Sequence, residues 1–177
     1  KGTLNVLQAA KELGVKRLIH TSTSEVYGTA QFVPITENHR LNGQSPYAAS
    51  KIGADQLAYS FFSSFNLPVS IIRPFNTYGP RQYPEKLIPL SIIRLLNSHE
   101  IEIYGNGLNV RDWLHVSDHC HGIFLALVSG ESGATYNFGG NSEKSNLEIA
   151  RVILENMNQE MENIKFVADR KGHDFRY

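Results

Sequence analysis

Apolar positions along this chain switch between two spacings, and the switching predicts its architecture. From Lys1 to Leu13 the repeat of Leu4, Leu7, Ala10 and Leu13 is helical, and Gly14 suits the turn that ends such a helix. Val15 to His20 holds Leu18 and Ile19 at the centre of a short buried strand. Thr29 to Gly43 is polar and irregular, which predicts a loop. Tyr47 to Phe65 predicts a long helix with Ile52, Leu57, Phe61, Phe62 and Phe65 inward; Leu67 to Arg73 predicts a second buried strand, stopped by Pro74. Strands alternating with helices point to an α/β chain whose parallel sheet is covered on both faces.

Beyond Pro80 the pattern changes. Glu85 to Asn97 is helical in period, with Leu87, Leu90, Ile93 and Leu96 inward. Ile101–Tyr104 and Leu108–Arg111 flank Gly105-Asn106-Gly107, which predicts a hairpin. A helix over Val116–Leu127 and a strand over Thr135–Phe138 follow, the strand closed by Gly139-Gly140. Ser145 and Glu148 have capping-box spacing and open a helix to about Met157. Phe166-Val167 predicts a last short strand.

The 177 residues suffice for one ordinary domain with a real core. Formal net charge is +0 and no basic stripe runs through the chain, so nucleic acid is not an expected partner. No apolar run approaches a bilayer span, so no membrane partner is expected either. Residue 1 already opens a helical pattern, so no secretory leader is expected. The single Cys120 excludes an internal disulfide and fits a reducing, cytoplasmic compartment. His115, His119 and His121 surround Cys120, but no carboxylate stands at the spacing of a zinc peptidase motif, so no metal is expected.

Two short stretches carry candidate chemistry. Thr23-Ser24-Glu25 falls at the end of the first strand, and Tyr47 and Lys51 fall in the first turns of the long helix. Positions i and i+4 share a helix face, roughly 5–6 Å apart at Cβ. A free tyrosine titrates near pH ~10 and is a poor base at neutrality. A fixed ammonium favours the phenolate, and a cationic ring nearby adds to the effect. A shift of about 3 units takes roughly 4 kcal/mol, more than one lysine supplies alone. Tyr47 and Lys51 beside a bound oxidised dinucleotide would therefore make an alcohol-deprotonating base.

Several further motifs sharpen this. Ser22-Thr-Ser-Glu-Val-Tyr-Gly28, Ser45-Pro-Tyr-Ala-Ala-Ser-Lys51 and Arg73-Pro-Phe-Asn-Thr-Tyr-Gly-Pro-Arg81 resemble the extended short-chain dehydrogenase/reductases that act on nucleotide sugars. Pro84-Glu-Lys-Leu-Ile-Pro89, Arg111-Asp-Trp-Leu-His-Val-Ser-Asp-His119 and Asp169-Arg-Lys-Gly-His-Asp174 bring the resemblance closest to the dTDP-glucose 4,6-dehydratase branch of the NAD-dependent epimerase/dehydratases. The resemblance implies the C-terminal half of a Rossmann-like doubly wound parallel sheet plus a small α/β substrate-binding lobe. Residues 1–80 would form a partial NAD-binding domain. Residues 81–177 would form mostly the nucleotide-sugar lobe, with some segments returning to the sheet. The glycine-rich strand-to-helix turn that holds a dinucleotide pyrophosphate is missing from the sequence, which reads as a truncated, middle-to-late slice of a longer enzyme. A slice is expected to expose sheet edge and apolar surface, and therefore to associate or dissolve poorly if made alone.

The same resemblance implies NAD as cofactor, a nucleotide sugar as substrate and a homodimer in the intact protein. It implies oxidation at C4, loss of water across C5 and C6, and return of the hydride to C6, giving a 4-keto-6-deoxy sugar. Tyr47 would be the base at the 4-hydroxyl and Lys51 its partner on the nicotinamide ribose. Thr23 would bond the 4-hydroxyl, and Glu25 would take the C5 proton. Ser24 departs from the dTDP-glucose pattern, which carries an aspartic acid there to protonate the leaving hydroxyl. Thr23-Ser24-Glu25 is similar instead to GDP-mannose 4,6-dehydratases and UDP-glucuronate decarboxylases, so Glu25 is expected to serve as both base and acid. Thr77 would lie near the cofactor. Asn76, Lys86, Leu87, Tyr104, Arg111, Asn146, Asp169, Arg170 and His173 match positions that contact the substrate. The rival expectations are a dehydratase of an activated N-acetylhexosamine or of GDP-mannose, a related 4-epimerase or decarboxylase, and a catalytically inactive fragment.

Overall fold

The computed structural model of the chain describes residues 1–169 and 171–176. In chain order its elements are α1 (Gly2–Glu12), β1 (Leu18–Thr21), α2 (Pro46–Phe65), β2 (Val69–Pro74), β3 (Asn76–Tyr78), α3 (Leu87–Leu96) and β4 (Ile101–Tyr104). Then come β5 (Val110–His115), α4 (Val116–Ser129), β6 (Thr135–Phe138), β7 (Glu143–Ser145), α5 (Asn146–Asn156) and β8 (Ile164–Val167).

The first sheet has the order β1-β2-β6, and both pairings are parallel. Every residue of β2 from Val69 to Arg73 is buried, as a central parallel strand covered on both faces requires. One side of the sheet is sealed by Leu7 and Ala10 of α1, Ala58 and Phe61 of α2, and Val69 and Ile71 of β2, which form a single apolar cluster. Helix α4 packs against β1 and β2 as well. The fold is α/β with parallel strands, as the alternation of periods predicts.

Local chemistry sets the helix that matters most. Ser45 caps α2 by accepting a hydrogen bond from Ala48 N at 3.1 Å, and Pro46 occupies the first turn, where its missing N–H costs nothing. Asn66 ends α2 in the left-handed conformation with φ 54°.

The expected hairpin around Gly105-Asn106-Gly107 does not form. Strand β4 pairs in parallel with β8, Ile101 opposite Ile164 and Tyr104 opposite Val167. Strand β5 joins a different sheet, parallel to β3 and antiparallel to β7. The glycines do make a tight turn, with Gly105 at φ 60° and Gly107 at φ 72°. After it, however, the backbone is claimed by the start of α5. Leu147 N donates to Gly107 O at 3.0 Å, and Asn146 N donates to Asn109 O at 3.1 Å. A side chain at Gly107 would collide with Ile103 and Leu147, so the turn also serves as a packing surface. Helices α3 and α5 close over β4 through Leu95, Ile101, Ile103, Ala150, Ile153 and Leu154, a second core separate from the first.

Among the described residues no helix is long and apolar enough to cross a membrane. Val6 and Leu13 near the start of the chain and Phe124, Leu125, Leu127 and Val128 on α4 are exposed, the kind of surface from which association is expected.

Candidate active site

The C-terminal ends of β1 and β2 open on one side of the first sheet, where open α/β folds place ligands. As β1 ends, Ser22 N donates to Ile72 O at 2.8 Å and keeps the chain beside β2 for one more residue. Thr23 then turns extended, and its Oγ1 accepts from Glu25 N at 3.3 Å, starting a single tight turn over Ser24–Tyr27. Val26 and Tyr27 are wholly buried beneath this turn, while Thr23 and Glu25 stay half-buried at its rim. Gly28 leaves the turn at φ 65°, and any side chain there would strike the carbonyl oxygen of Asn42.

Thr23, Ser24 and Glu25 line a cleft of about 540 Å³. Asn76 and Thr77 of β3 line it too, as do Lys86, Leu87, Tyr104, Arg111, Asn146 and His173. Eleven of the sequence-predicted residues, contributed by seven stretches of chain, therefore face one space. Tyr47, Lys51 and Asp169 stand outside its lining, and Arg170 lies outside the described residues. Tyr47 is 51% exposed, in the first turn of α2. One turn on, Lys51 Nζ donates to Thr21 O at 2.7 Å. The ammonium is thus fixed to the last residue of β1, two positions before Thr23. Asp169 accepts from His173 Nδ1 at 2.7 Å, so it steadies a residue that does face the cleft.

The walls differ in charge and rigidity. Arg111 is 2% exposed, and its guanidinium donates to Val110 O at 2.7 Å and to Asp174 O at 2.8 Å. These backbone bonds help to orient the planar fork at the cleft wall. Lys86 is exposed and meets Glu85 at 3.0 Å, an open pair that constrains it little. Glu102 is held by Arg94 at 2.9 Å. Thr77 Oγ1 lies 3.1 Å from His119 Nδ1, and burial lowers the pKa of His119, so that imidazole is neutral near pH 7.

Several lining residues escaped the sequence reading. Gln82 donates through Nε2 to Thr77 O at 2.9 Å and faces the cleft, as do Phe75, Trp113 and Glu102. Gln82 and Phe75 sit inside or between the motifs already singled out, but amide and aromatic side chains give no chemical signal by type. Among the described residues no group of three or more His, Cys, Asp or Glu is arranged to hold a metal ion.

Comparison with known proteins adds a lineage to this geometry. The family model described as GDP-mannose 4,6 dehydratase matches residues 1–176. A dTDP-glucose 4,6-dehydratase of Actinoplanes sp. is 48% identical over 99% of this chain and 55% of its own length. The crystal structure of DesIV, a dTDP-glucose 4,6-dehydratase from Streptomyces venezuelae with NAD and TYD bound, superposes with a TM-score of 0.97 at 45% identity, covering 99% of this chain and 55% of that one. A dTDP-glucose 4,6-dehydratase from Bacillus anthracis in complex with NAD gives a TM-score of 0.95 at 43% identity, covering 99% and 56%. The chain therefore spans about half the length of the curated relatives it matches.

Proposed function

Because the chain belongs to the GDP-mannose 4,6 dehydratase family of NAD-dependent epimerase/dehydratases, we propose that it is the catalytic and substrate-binding part of a nucleotide-sugar 4,6-dehydratase of the dTDP-glucose type. One observation carries this reading: the carboxylate-bearing turn Thr23-Ser24-Glu25 shares a single cleft with the residues suited to a nucleoside diphosphate, Lys86, Tyr104, Arg111, Asn146 and His173. A sugar seated between them would present its hydroxyls to the turn and its diphosphate to the cations.

The residues present suit one end of NAD. Lys51 is anchored at the tip of β1 and Tyr47 stands half-exposed one turn before it, so both can meet a ribose and nicotinamide bound over the strand ends. Thr77 would stand at the same end. A glycine-rich strand-to-helix turn for the pyrophosphate is not found in this sequence. When bound, the dinucleotide supplies reversible acceptance of a hydride at sugar carbon.

The protein's own part is proton handling. Tyr47, with the Lys51 ammonium on its helix face, takes the proton of the 4-hydroxyl. The resulting ketone acidifies the C5 proton, which brings it within reach of a carboxylate. Glu25 takes that proton. Among the described residues no cation pairs with Glu25, so its carboxylate is not committed to a structural bridge. Ser24 is 2% exposed and, as a hydroxyl, is a poor proton donor at neutrality. Glu25 accordingly returns the proton to the leaving C6 hydroxyl. Intact, the protein would work as a cytoplasmic homodimer.

The serine at position 24 also favours a second reading, a dehydratase of GDP-mannose on the same scaffold. Incubating the intact protein with NAD and, separately, dTDP-glucose, GDP-mannose and UDP-N-acetylglucosamine distinguishes the two. A 4-keto-6-deoxy product from dTDP-glucose is expected. A 4-epimer as the only product, or no turnover of any of the three, would contradict a dehydratase.

A further inference from the structure

Under the Thr23–Glu25 turn runs a line of buried polar groups that the proton chemistry does not use. Asp55 of α2 is 0% exposed and Arg73 of β2 is 5% exposed. Arg73 Nε donates to Asp55 Oδ2 at 3.0 Å, and Arg73 Nη1 donates to Tyr27 Oη at 2.9 Å. Tyr27 Oη in turn donates to Asn137 Oδ1 of β6 at 2.7 Å. Asn137 is tied down by its backbone, whose N–H donates to Glu37 Oε1 at 2.8 Å. His20 of β1 approaches Asp55 Oδ1 to 3.3 Å, outside hydrogen-bond alignment.

The protonation states fit directed bonding. Burial pushes the Asp55 pKa up, but the His20, Ser22 and Arg73 side chains outweigh it and hold the carboxyl below the usual carboxylate range. Burial pushes the Tyr27 phenol up, and the Arg73 charge only partly reverses this. Tyr27 therefore keeps its proton and can accept from Arg73 while donating to Asn137. A buried ion pair is poor evidence for added stability, since apolar residues of similar volume often serve as well. What such a chain of bonds does supply is fixed relative position.

Its members come from the elements that carry the site. Asp55 lies on α2 with Tyr47 and Lys51, Tyr27 closes the turn that begins with Ser24 and Glu25, and Arg73 precedes Asn76 on the strand edge. We propose that the Asp55–Arg73 pair, extended through Tyr27 to Asn137, is a positioning joint that fixes Tyr47 and Lys51 relative to Glu25. For its catalytic consequence, though not for its existence, this inference rests on the function proposed above.

Tyr27→Phe is the informative variant, because it deletes one hydroxyl and keeps the ring. Asp55→Asn strands a buried guanidinium and is expected to weaken the whole fold, which would mask a local effect. By hydrogen exchange on the chain, the amides of Glu25, Val26 and Gly28 in Tyr27→Phe should exchange about tenfold faster, while those of Ile71 and Ile72 stay as in the wild type. In the intact protein, kcat on dTDP-glucose should fall about tenfold with KM held, as expected when reacting groups are displaced without loss of substrate contacts. Unchanged exchange at 25–28, equal acceleration in β2, or faster turn exchange with unchanged kcat would each overturn the joint. If the intact wild type turns over no nucleotide sugar, the functional reading fails, and the exchange comparison alone still decides whether the joint exists.

Discussion

The two cores of this chain are built on opposite plans. Around β4, β8, α3 and α5 the core is a cluster of apolar side chains, Leu95, Ile101, Ile103, Ala150, Ile153 and Leu154, and the buried polar side chains of these elements are the hydroxyls of Ser91 and of the cap Ser145. Around β1, β2 and α2 the apolar cluster adjoins Asp55, Arg73, Ser70 and Tyr27, all buried and bonded. The first plan supports the walls that carry Tyr104 and Asn146, where a nucleotide is proposed to lie. The second supports the turn and helix proposed to move protons. A recognition wall tolerates the latitude of close packing, whereas proton transfer needs heavy atoms placed within hydrogen-bond reach. Directed polar bonds at one end and generic apolar contact at the other follow from that difference.

If the contrast is real, the two cores should fail differently. Asp55→Ala removes one partner of a buried pair and should cost about 3–5 kcal/mol by denaturant unfolding. Leu154→Ala, 1% exposed in the wild type, should cost about 2–4 kcal/mol through lost transfer energy and the cavity left behind. Acid sharpens the comparison further. The folded-state pKa of Asp55 is depressed, so its contribution is fully present above the unfolded value near ~3.9 and is lost as pH falls through the lower folded value. Unfolding midpoints measured from pH 7 downward should therefore show an acid-dependent loss that Leu154→Ala keeps in full and Asp55→Ala shows to a smaller extent, Glu148 retaining its share. At the smallest scale, Ser145→Ala should cost about 1 kcal/mol by removing the cap of α5, whose hydroxyl accepts from Glu148 N at 3.2 Å. That loss should fall on the apolar core alone and leave hydrogen exchange in β2 untouched.

The same contrast explains what could be read from residues alone. The alternating strands and helices of the first sheet were legible because β2 holds the short apolar run Val69, Ile71 and Ile72 and its neighbours follow at helical period. Strand β4 was legible as a half-buried strand, since Ile101 and Ile103 alternate with exposed Glu102 and Tyr104. Its partner was not, because alternation tells which face is buried and says nothing of which segment lies alongside. The local glycine turn pointed to β5, while the true partner β8 lies some sixty residues on. In the site, Glu25, Asn76, Arg111 and His173 announced themselves by charge or motif. Gln82 did not, and Trp113 stood within a motif without a role of its own; they line the cleft through the path of the loop before α3 and the pairing of β3 with β5. The Arg73–Tyr27–Asn137 chain was invisible for the same reason: its members are 46 and 110 positions apart.

Glu25 is the group proposed to handle the C5 proton, and Glu25→Gln in the intact protein puts that role to the test. Run in deuterium oxide with NAD and dTDP-glucose, the wild type should give a 4-keto-6-deoxy sugar carrying deuterium at C5. In the variant, elimination and exchange at C5 should be slowed roughly 10²–10⁴-fold, as for a missing general base, while oxidation at C4 persists. A variant that still eliminates water and is blocked only at C4 oxidation would contradict the assignment.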